Sequence, residues 1–186
     1  MQDKREAELI EIIQKDAWMV KILKTVEKLN LPDCWVCAGF IRNKVWDFVH
    51  SYNVRTQLND IDVIYFDPSN ISQEVEKKME STLRGIMPAE PWSVKNQARM
   101  HMKNQSKPYT SSLDGISHFP EIPTAIGAKI INGKIQILAP YGVSSLFDKR
   151  VEPTPYFTAD KELHTIYHKR IQSKDWKRTW PELEIL

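Results

Sequence analysis

The sequence predicts an α+β fold in which a mixed β-sheet is flanked by helices, with an added β-hairpin and a C-terminal helix. Three observations lead to this class. Apolar residues recur at helical spacing near the N-terminus, short runs rich in β-branched and aromatic residues alternate with further helical segments, and an Asn-Gly pair at 132–133 separates two β-branched runs. Such an order builds one sheet with helices packed against it.

The first half of the chain carries the alternating pattern. A long helix is expected from about Asp3 to Leu29, because its apolar residues share one face and the polar and proline residues at 30–32 end it. The elements that follow are a buried strand at 34–38, a helix at 40–50, a strand at 60–66, a helix at 72–84 and a less apolar strand at 92–100. Ser72 is a suitable N-cap for the helix at 72–84.

The second half is less regular. Residues 101–123 and 139–158 are rich in proline and small polar residues and are expected to be irregular. A hairpin is predicted from Ala128 to Leu138, because a tight two-residue turn needs positive φ at both positions and Asn-Gly accepts it. A final helix is predicted at 159–174, after which Trp176 and Trp180 dock the tail.

The domain organisation follows from this order. The hairpin can extend the sheet, so we predict a single domain over residues 1–186, with a core at about 5–104 and an elaborated second half at about 105–186.

Composition narrows the classes of function. The net charge is +2, from 26 basic and 24 acidic residues, so a nucleic-acid partner is possible but not indicated. No stretch has the roughly 18 apolar residues of a membrane span, and the charged N-terminus is unlike a secretory signal, so a cytoplasmic protein without a membrane partner is expected. Cys34 and Cys37 are interpreted as core strand residues, because no second ligand pair accompanies them.

A pair of carboxylates is the strongest candidate for chemistry. Asp60 and Asp62 stand two positions apart on a predicted strand, so their side chains leave the same face. Two nearby carboxylates repel each other unless a cation lies between them. Mg²⁺, or Mn²⁺ in its place, binds such oxygens and completes its coordination with substrate phosphates. We therefore predict Asp60 and Asp62 as catalytic metal ligands.

A strand-to-helix turn upstream of that pair suggests a phosphate site. Gly39 ends the strand at 34–38, and a glycine there lets backbone approach a ligand closely. The start of the following helix offers free N–H groups and a positive dipole end. Arg42 and Asn43 lie in its first turn, where they can reach an anion. The order fits nucleotidyl transfer, which depends on positioning and charge neutralisation.

Longer motifs give a resemblance that covers about residues 5 to 183. The motifs are Ala38-Gly-Phe-Ile-Arg-Asn43, Val45-Trp-Asp47, Asp60-Ile-Asp-Val-Ile-Tyr-Phe-Asp67, Pro91-Trp-Ser-Val-Lys-Asn-Gln-Ala-Arg-Met-His101, Pro108-Tyr109, Asp114-Gly115, His118-Phe-Pro-Glu121, Ala139-Pro-Tyr-Gly142 and Pro153-Thr-Pro155. The sequence resembles a bacterial family of uncharacterised nucleotidyltransferase-fold proteins, related to DNA polymerase β. The resemblance implies a Gly-Gly or Gly-Ser turn for the triphosphate, an Asp-x-Asp pair for Mg²⁺ and a third carboxylate on a later strand.

The sequence departs from that pattern in two places. The turn reads Gly39-Phe40, so a ring is expected where a second small residue would stand. The position of the third metal-binding carboxylate falls at Ser93 or Asn96 if the strand at 92–100 is the third core strand. Neither residue is acidic. Substitutes elsewhere are Asp67, Asp114 and Glu121.

Several other residues are accessory candidates. Lys95, Arg99 and Lys103 alternate along the predicted strand, where they would form either a basic face for the triphosphate or a solvated edge. Lys95 is predicted to bind nucleotide together with Gly39, Phe40, Arg42 and Asn43. His101 is interpreted as a base, a phosphate contact or a structural group.

Two functions follow from these residues, and a third, less favoured hypothesis is an RNA-directed enzyme that uses the basic segment 168–178 near the C-terminus. The first is transfer of a nucleoside monophosphate from an NTP to an unknown acceptor, with Mg²⁺. The alternative is a catalytically inactive module on the same fold that binds nucleotide or a partner. The sequence leaves the oligomeric state open.

Overall fold

The computed structural model of this protein describes residues 2–104 and 106–186. Its helices are α1 Gln2–Gln14, α2 Ala17–Glu27, α3 Gly39–Val49, α4 Gln73–Ile86, α5 Gln97–Asn104, α6 Ser112–Ser117, α7 Ser144–Phe147, α8 Pro155–Thr158, α9 Lys161–Lys174 and α10 Trp176–Thr179, with a 3₁₀ turn at Ile122–Thr124. Its strands are β1 Trp35–Cys37, β2 Ile61–Tyr65, β3 Trp92–Asn96, β4 Gly127–Ile131, β5 Lys134–Leu138, β6 Arg150–Val151 and β7 Glu184–Ile185. No helix within these ranges is long and apolar enough to cross a membrane.

The predicted mixed sheet is confirmed. Within the described ranges, five strands form one sheet in the order β3-β2-β1-β4-β5. Strand β1 runs antiparallel to both of its neighbours, whereas β2 and β3 are parallel. The hairpin β4–β5 extends this sheet, and its turn residues Asn132 and Gly133 have φ values of 51° and 77° as an Asn-Gly turn requires. The single-domain assignment stays a prediction, which the shared sheet supports.

The two faces of the sheet differ in chemistry. One face carries Val36, Val63, Val94 and Ala128, which belong to the main core together with residues of α1 to α4. Side chains alternate along a strand, so the opposite face carries the neighbours of these residues, among them Asp62. Ile116 of α6 and Phe119 cover part of this second face, and the part around the half-buried Asp62 remains available for a site.

The prediction of one helix from Asp3 to Leu29 is wrong. The chain breaks between α1 and α2, because the Asp16 carboxylate accepts a hydrogen bond from the backbone N–H of Met19 and caps α2. Asp16 also pairs with Lys44 at 2.9 Å and with Arg55 at 2.6 Å. These pairs attach the break to α3 and to the loop before β2.

The third strand is shorter than predicted. It ends at Asn96, whose side-chain oxygen accepts from the backbone N–H of Ala98 at 3.0 Å and so starts α5. Arg99 and Lys103 therefore lie on a helix, and the alternating basic strand is wrong.

The segments predicted to be irregular contain short regular elements. Residues 101–123 include the end of α5, α6 and the start of the 3₁₀ turn, and residues 139–158 include α7, β6 and α8. Elements of four to six residues have too few turns to show a clear apolar period. The remaining predicted helices are confirmed with small shifts at their ends, including Ser72 as the N-cap of α4.

The C-terminal tail packs as predicted. Trp176 and Trp180 are buried against Trp46 of α3, with ring centroids 5.3 Å and 5.0 Å away. The Trp180 indole N–H donates to the buried Asp47 carboxylate at 2.9 Å, and the same carboxylate accepts from Thr56. Helix α3 is therefore tied both to the tail and to the loop before β2.

The connection from β1 to α3 has an unusual backbone. Ala38 lies between them with φ 57° and ψ −121°, a conformation that glycine adopts easily and that costs other residues about 1–3 kcal/mol. Its N–H donates to the Ile126 carbonyl at 2.9 Å, which holds the turn against the start of β4. The tertiary structure thus maintains this strained residue next to Gly39.

Replacing Ala38 by valine should destabilise the protein by about 2 kcal/mol or more, because a β-branched residue is strongly disfavoured at positive φ and the site is 6% exposed. The measurement is the free energy of unfolding in urea. The matched variant Ala38→Gly should stay within about 1 kcal/mol of the original, because relief of strain offsets the lost methyl group and the added chain entropy. Equal stability of the valine variant would contradict this account of the turn.

Candidate active site

The turn between β1 and α3 presents unsatisfied donors. Within the described residues, the Ala38 carbonyl accepts from Ile41 and Arg42, whereas no protein acceptor pairs with the N–H groups of Gly39 and Phe40. Those two groups belong to the first turn of an 11-residue helix, where the helix dipole is positive. This geometry suits an anion.

The structure corrects the expected position of the small residues. The pair at the turn is Ala38-Gly39 rather than Gly39-Phe40, because the positive φ falls on Ala38 and Gly39 already begins the helix. The Phe40 ring points into the main core, is 2% exposed and lies 5.7 Å from the Trp18 ring. The expectation that the Phe40 ring stands at the phosphate-binding turn is therefore wrong, since the ring does not block the turn.

The carboxylate pair lies at the N-terminal end of β2. Asp62 is half-buried in the strand, opposite Cys37 of β1 and Ser93 of β3, and Asp60 is exposed just before the strand. Burial first, and the negative charge of Asp60 second, raise the pKa of Asp62 to about 6, although a hydrogen bond from Ser93 acts in the other direction. The pair therefore carries negative charge that the protein does not balance fully.

Arg42 lies in the first turn of α3 and is almost completely buried. Its guanidinium donates to the side-chain oxygen of Asn43 at 2.9 Å and to Thr124 at 2.8 Å, and it stacks on the rings of Trp46 and Trp176. Burial lowers the pKa of Arg42 to about 10, with negative charge nearby partly opposing the shift. Asn43 thus orients Arg42, and the aromatic faces hold the charge in place.

A cleft of about 310 Å³ is lined by Ala38 of this turn and by Asp62 of the carboxylate pair. Its lining includes Asp62, Ser93 and Lys95 from the sheet, polar residues and cations from α5 and α9, and an apolar portion. The further lining residues are Ala38, Ile64, Gln97, Met100, Lys103, Asn104, Phe119, Pro120, Thr124 and Arg170. The cleft combines apolar surface with cations and a carboxylate, which is the composition expected for an anionic organic ligand.

Other cavities lie elsewhere. A pocket of about 320 Å³ lies between α2, β1 and β4, and another of about 510 Å³ is lined by Trp18, Arg55 and neighbouring residues. Neither is lined by Asp60, Asp62 or the residues of the turn.

Some predicted residues serve the fold around the cleft. Lys95 lines the cleft and also pairs with Glu80 of α4 at 3.1 Å. Asn96 is fully buried and binds the backbone of Asp67, Asn70 and Ala98, so it fixes the chain where β3 ends.

The remaining accessory candidates do not line the cleft. Arg99 pairs with Glu76 at 2.6 Å on the side of α4. His101 packs against Tyr109, and Asp114 accepts from the backbone N–H of Thr110 at 2.8 Å beside α6. Glu121 is completely buried and pairs with Arg170.

The structure places no third acid beside the pair. Within residues 2–104 and 106–186, no group of three or more His, Cys, Asp or Glu side chains is arranged to hold a metal. The position next to Asp62 on β3 belongs to Ser93. Asp67, Asp114 and Glu121 are therefore not gathered with Asp60 and Asp62 as substitutes.

Sequence reasoning missed two polar residues at the cleft. Thr124 holds the Arg42 guanidinium, and Arg170 lines the cleft from α9. Both lie more than 80 positions from the turn, so spacing gave no signal for them. Arg170 lies in the basic segment 168–178, for which the sequence favours a solvated helix end over a phosphate or RNA contact.

Comparisons with known proteins identify the family of this chain. No curated protein matches the sequence. A solved structure described by its NMR study as revealing a CCA-adding enzyme head domain is similar, with a TM-score of 0.86 and 32% identity over 97% of this chain and 95% of that chain. The sequence model of a family described as nucleotidyltransferase matches residues 24–185. The chain therefore belongs to this nucleotidyltransferase family.

Proposed function

We propose that this protein transfers a nucleoside monophosphate from an NTP to an acceptor hydroxyl or phosphate, with Mg²⁺ or Mn²⁺ bound by Asp60 and Asp62. The observation that carries the proposal is that Asp62 and the Ala38 turn line the same cleft. A phosphate bound at the N–H groups of Gly39 and Phe40 would then be close to a metal on the carboxylates.

The residues present fit a divalent cation. The repulsion from Asp60 and the burial of Asp62 leave two carboxylates in need of positive charge, and hard oxygen ligands are those that Mg²⁺ prefers. When bound, such an ion supplies charge neutralisation at the transferred phosphate. A site with two carboxylates leaves the other coordination positions to water and substrate phosphates.

The chain's own groups would bind and orient the substrate. A Cβ added to Gly39 would lie 3.5 Å from Nη2 of Arg42, which is ordinary contact, so the protein itself tolerates a side chain there. Close approach of a ligand is a reason for glycine at this position. Lys95 and the helix dipole of α3 add positive charge on the same cleft.

The alternative function is a module that binds nucleotide without turnover. Ser93 beside Asp62 favours it, because a hydroxyl does not add a charged ligand for a metal. Release of pyrophosphate over a panel of NTPs and acceptors separates the two functions. Release that is abolished in Asp60→Ala would rule out the inactive module.

Binding of NTP should depend on Mg²⁺ and on Asp62. We expect calorimetry with ATP, CTP, GTP and UTP to show binding of at least one, weakened about tenfold or more in Asp62→Asn, because the variant loses one charged metal ligand. Asp67→Asn is the control, since Asp67 is bound to Ser69 outside the cleft. Absence of binding by all four nucleotides would reject the proposed function.

The substitution Asp62→Asn should also stabilise the metal-free protein. The pKa of Asp62 is raised from 3.8 to about 6, so its ionised form destabilises the fold fully above pH 6 and not at all below pH 3.8. At pH 8 in a chelator, the variant should gain about 1–2 kcal/mol of unfolding free energy.

Urea unfolding at pH 8 and at pH 4 measures this effect. The gain should shrink toward zero at pH 4, and excess Mn²⁺ at pH 8 should stabilise the original protein more than the variant. A variant that is less stable than the original at pH 8 would show that the Asp62 carboxylate is already balanced by the protein.

A further inference from the structure

Arg170 brings a cation to the cleft from the C-terminal part of the chain. It lies on α9, a 14-residue helix whose N-terminus is capped by Asp160. Arg170 and Lys103 of α5 are both among the residues that line the cleft with Asp62. Two helices far apart in sequence thus place cations on the cleft that Asp62 also lines.

A buried acid fixes the position of Arg170. Glu121 is 0% exposed and accepts a hydrogen bond from Nε of Arg170 through Oε1, whereas its Oε2 has no partner within the described residues. Nη1 and Nη2 of Arg170 donate no hydrogen bond to a protein acceptor within residues 2–104 and 106–186. Glu121 therefore holds the inner edge of the guanidinium and leaves its terminal donors available to a ligand.

Further charged groups lie around this pair. Arg42 is close enough for Glu121 to raise its pKa and for Arg170 to lower it, and Asp62 and Asp60 act on it in the same direction as Glu121. Lys95 is balanced by Glu80, but no acid lies within 4 Å of Lys103 in the described part of the chain. A group with several negative charges is the ligand that this arrangement fits.

We propose that Arg170, positioned by Glu121, binds the terminal phosphates of the NTP. This inference rests on the proposed function. In that reaction the acceptor oxygen bonds to the α-phosphorus, the bond from the α-phosphorus to the bridging oxygen breaks, and pyrophosphate leaves with that electron pair while the acceptor proton passes to solvent. Arg170 contacts the group that leaves, and Glu121 is a positioning residue.

The competing account is a purely structural ion pair that fastens α9 to the 3₁₀ turn at 122–124. This account predicts that loss of Arg170 lowers the stability of the protein and reduces the affinity for all ligands by the same factor. The phosphate-binding account predicts a change in the ratio of affinities for ATP and AMP, because only ATP carries terminal phosphates. This ratio is therefore the readout.

The experiment compares Arg170→Gln, Arg170→Lys and the control Lys169→Gln, an exposed neighbour on the same helix. The ligands are ATP, AMP and inorganic tripolyphosphate, each with Mg²⁺, and calorimetry gives the dissociation constants. We expect Arg170→Gln to weaken the binding of ATP and tripolyphosphate about 10- to 100-fold and the binding of AMP less than about twofold. Arg170→Lys should recover part of the loss, and Lys169→Gln should change nothing.

Glu121→Gln tests the positioning role. It should reduce the ratio of ATP to AMP affinity in the same direction as Arg170→Gln but by a smaller factor, since an amide oxygen can still accept from Nε.

An unchanged ratio of ATP to AMP affinity in Arg170→Gln overturns the inference, while ATP binding by the original protein preserves the proposed function. Tripolyphosphate binding that requires Arg170, in a protein that binds no NTP, upholds the anion site and rejects the proposed function. Binding of neither ligand overturns both.

Discussion

The buried charge of Arg42 is the constraint on which the rest of the structure depends. A guanidinium with 8% exposure is costly unless its donors are paired and its charge is compensated. Its donors are paired with Asn43 beside it and with Thr124 before β4, the Trp176 ring near the C-terminus covers it, and the carboxylate of Glu121 supplies nearby negative charge. One buried cation thus requires two distant parts of the chain, the segment before β4 and the C-terminal tail, to meet at α3.

This requirement explains why the tail folds back onto α3. Trp176 and Trp180 cover Trp46, and the Trp180 indole N–H donates to Asp47, five residues along α3 from Arg42. Because Asp47 also accepts from the backbone and side chain of Thr56, the loop that leads into β2 is held by the same helix. The position of the carboxylate pair at the start of β2 is therefore linked to the packing of the C-terminus.

Much of the fold could be predicted from local patterns, and the failures have physical causes. The β-branched strand at β2 and the Asn132-Gly133 turn carry strong local signals, which tertiary packing did not override. The break at Asp16 was hidden because apolar spacing continues across it, while the capping bond and two ion pairs that favour it come partly from residues far along the chain. The end of β3 depends on the Asn96 side chain, which can either continue a strand or cap a helix.

The sequence by itself determined the order of the strands and helices that carry the candidate site, and it singled out Asp60, Asp62 and the turn before α3. Periodicity and turn chemistry act over a few residues, so they are readable without contacts. Only the tertiary structure decided that the positive φ belongs to Ala38, that Phe40 turns into the core and that Ser93 stands beside Asp62. It also brought Arg170 to the cleft and paired it with the buried Glu121, because burial and charge pairing join residues that no spacing rule connects.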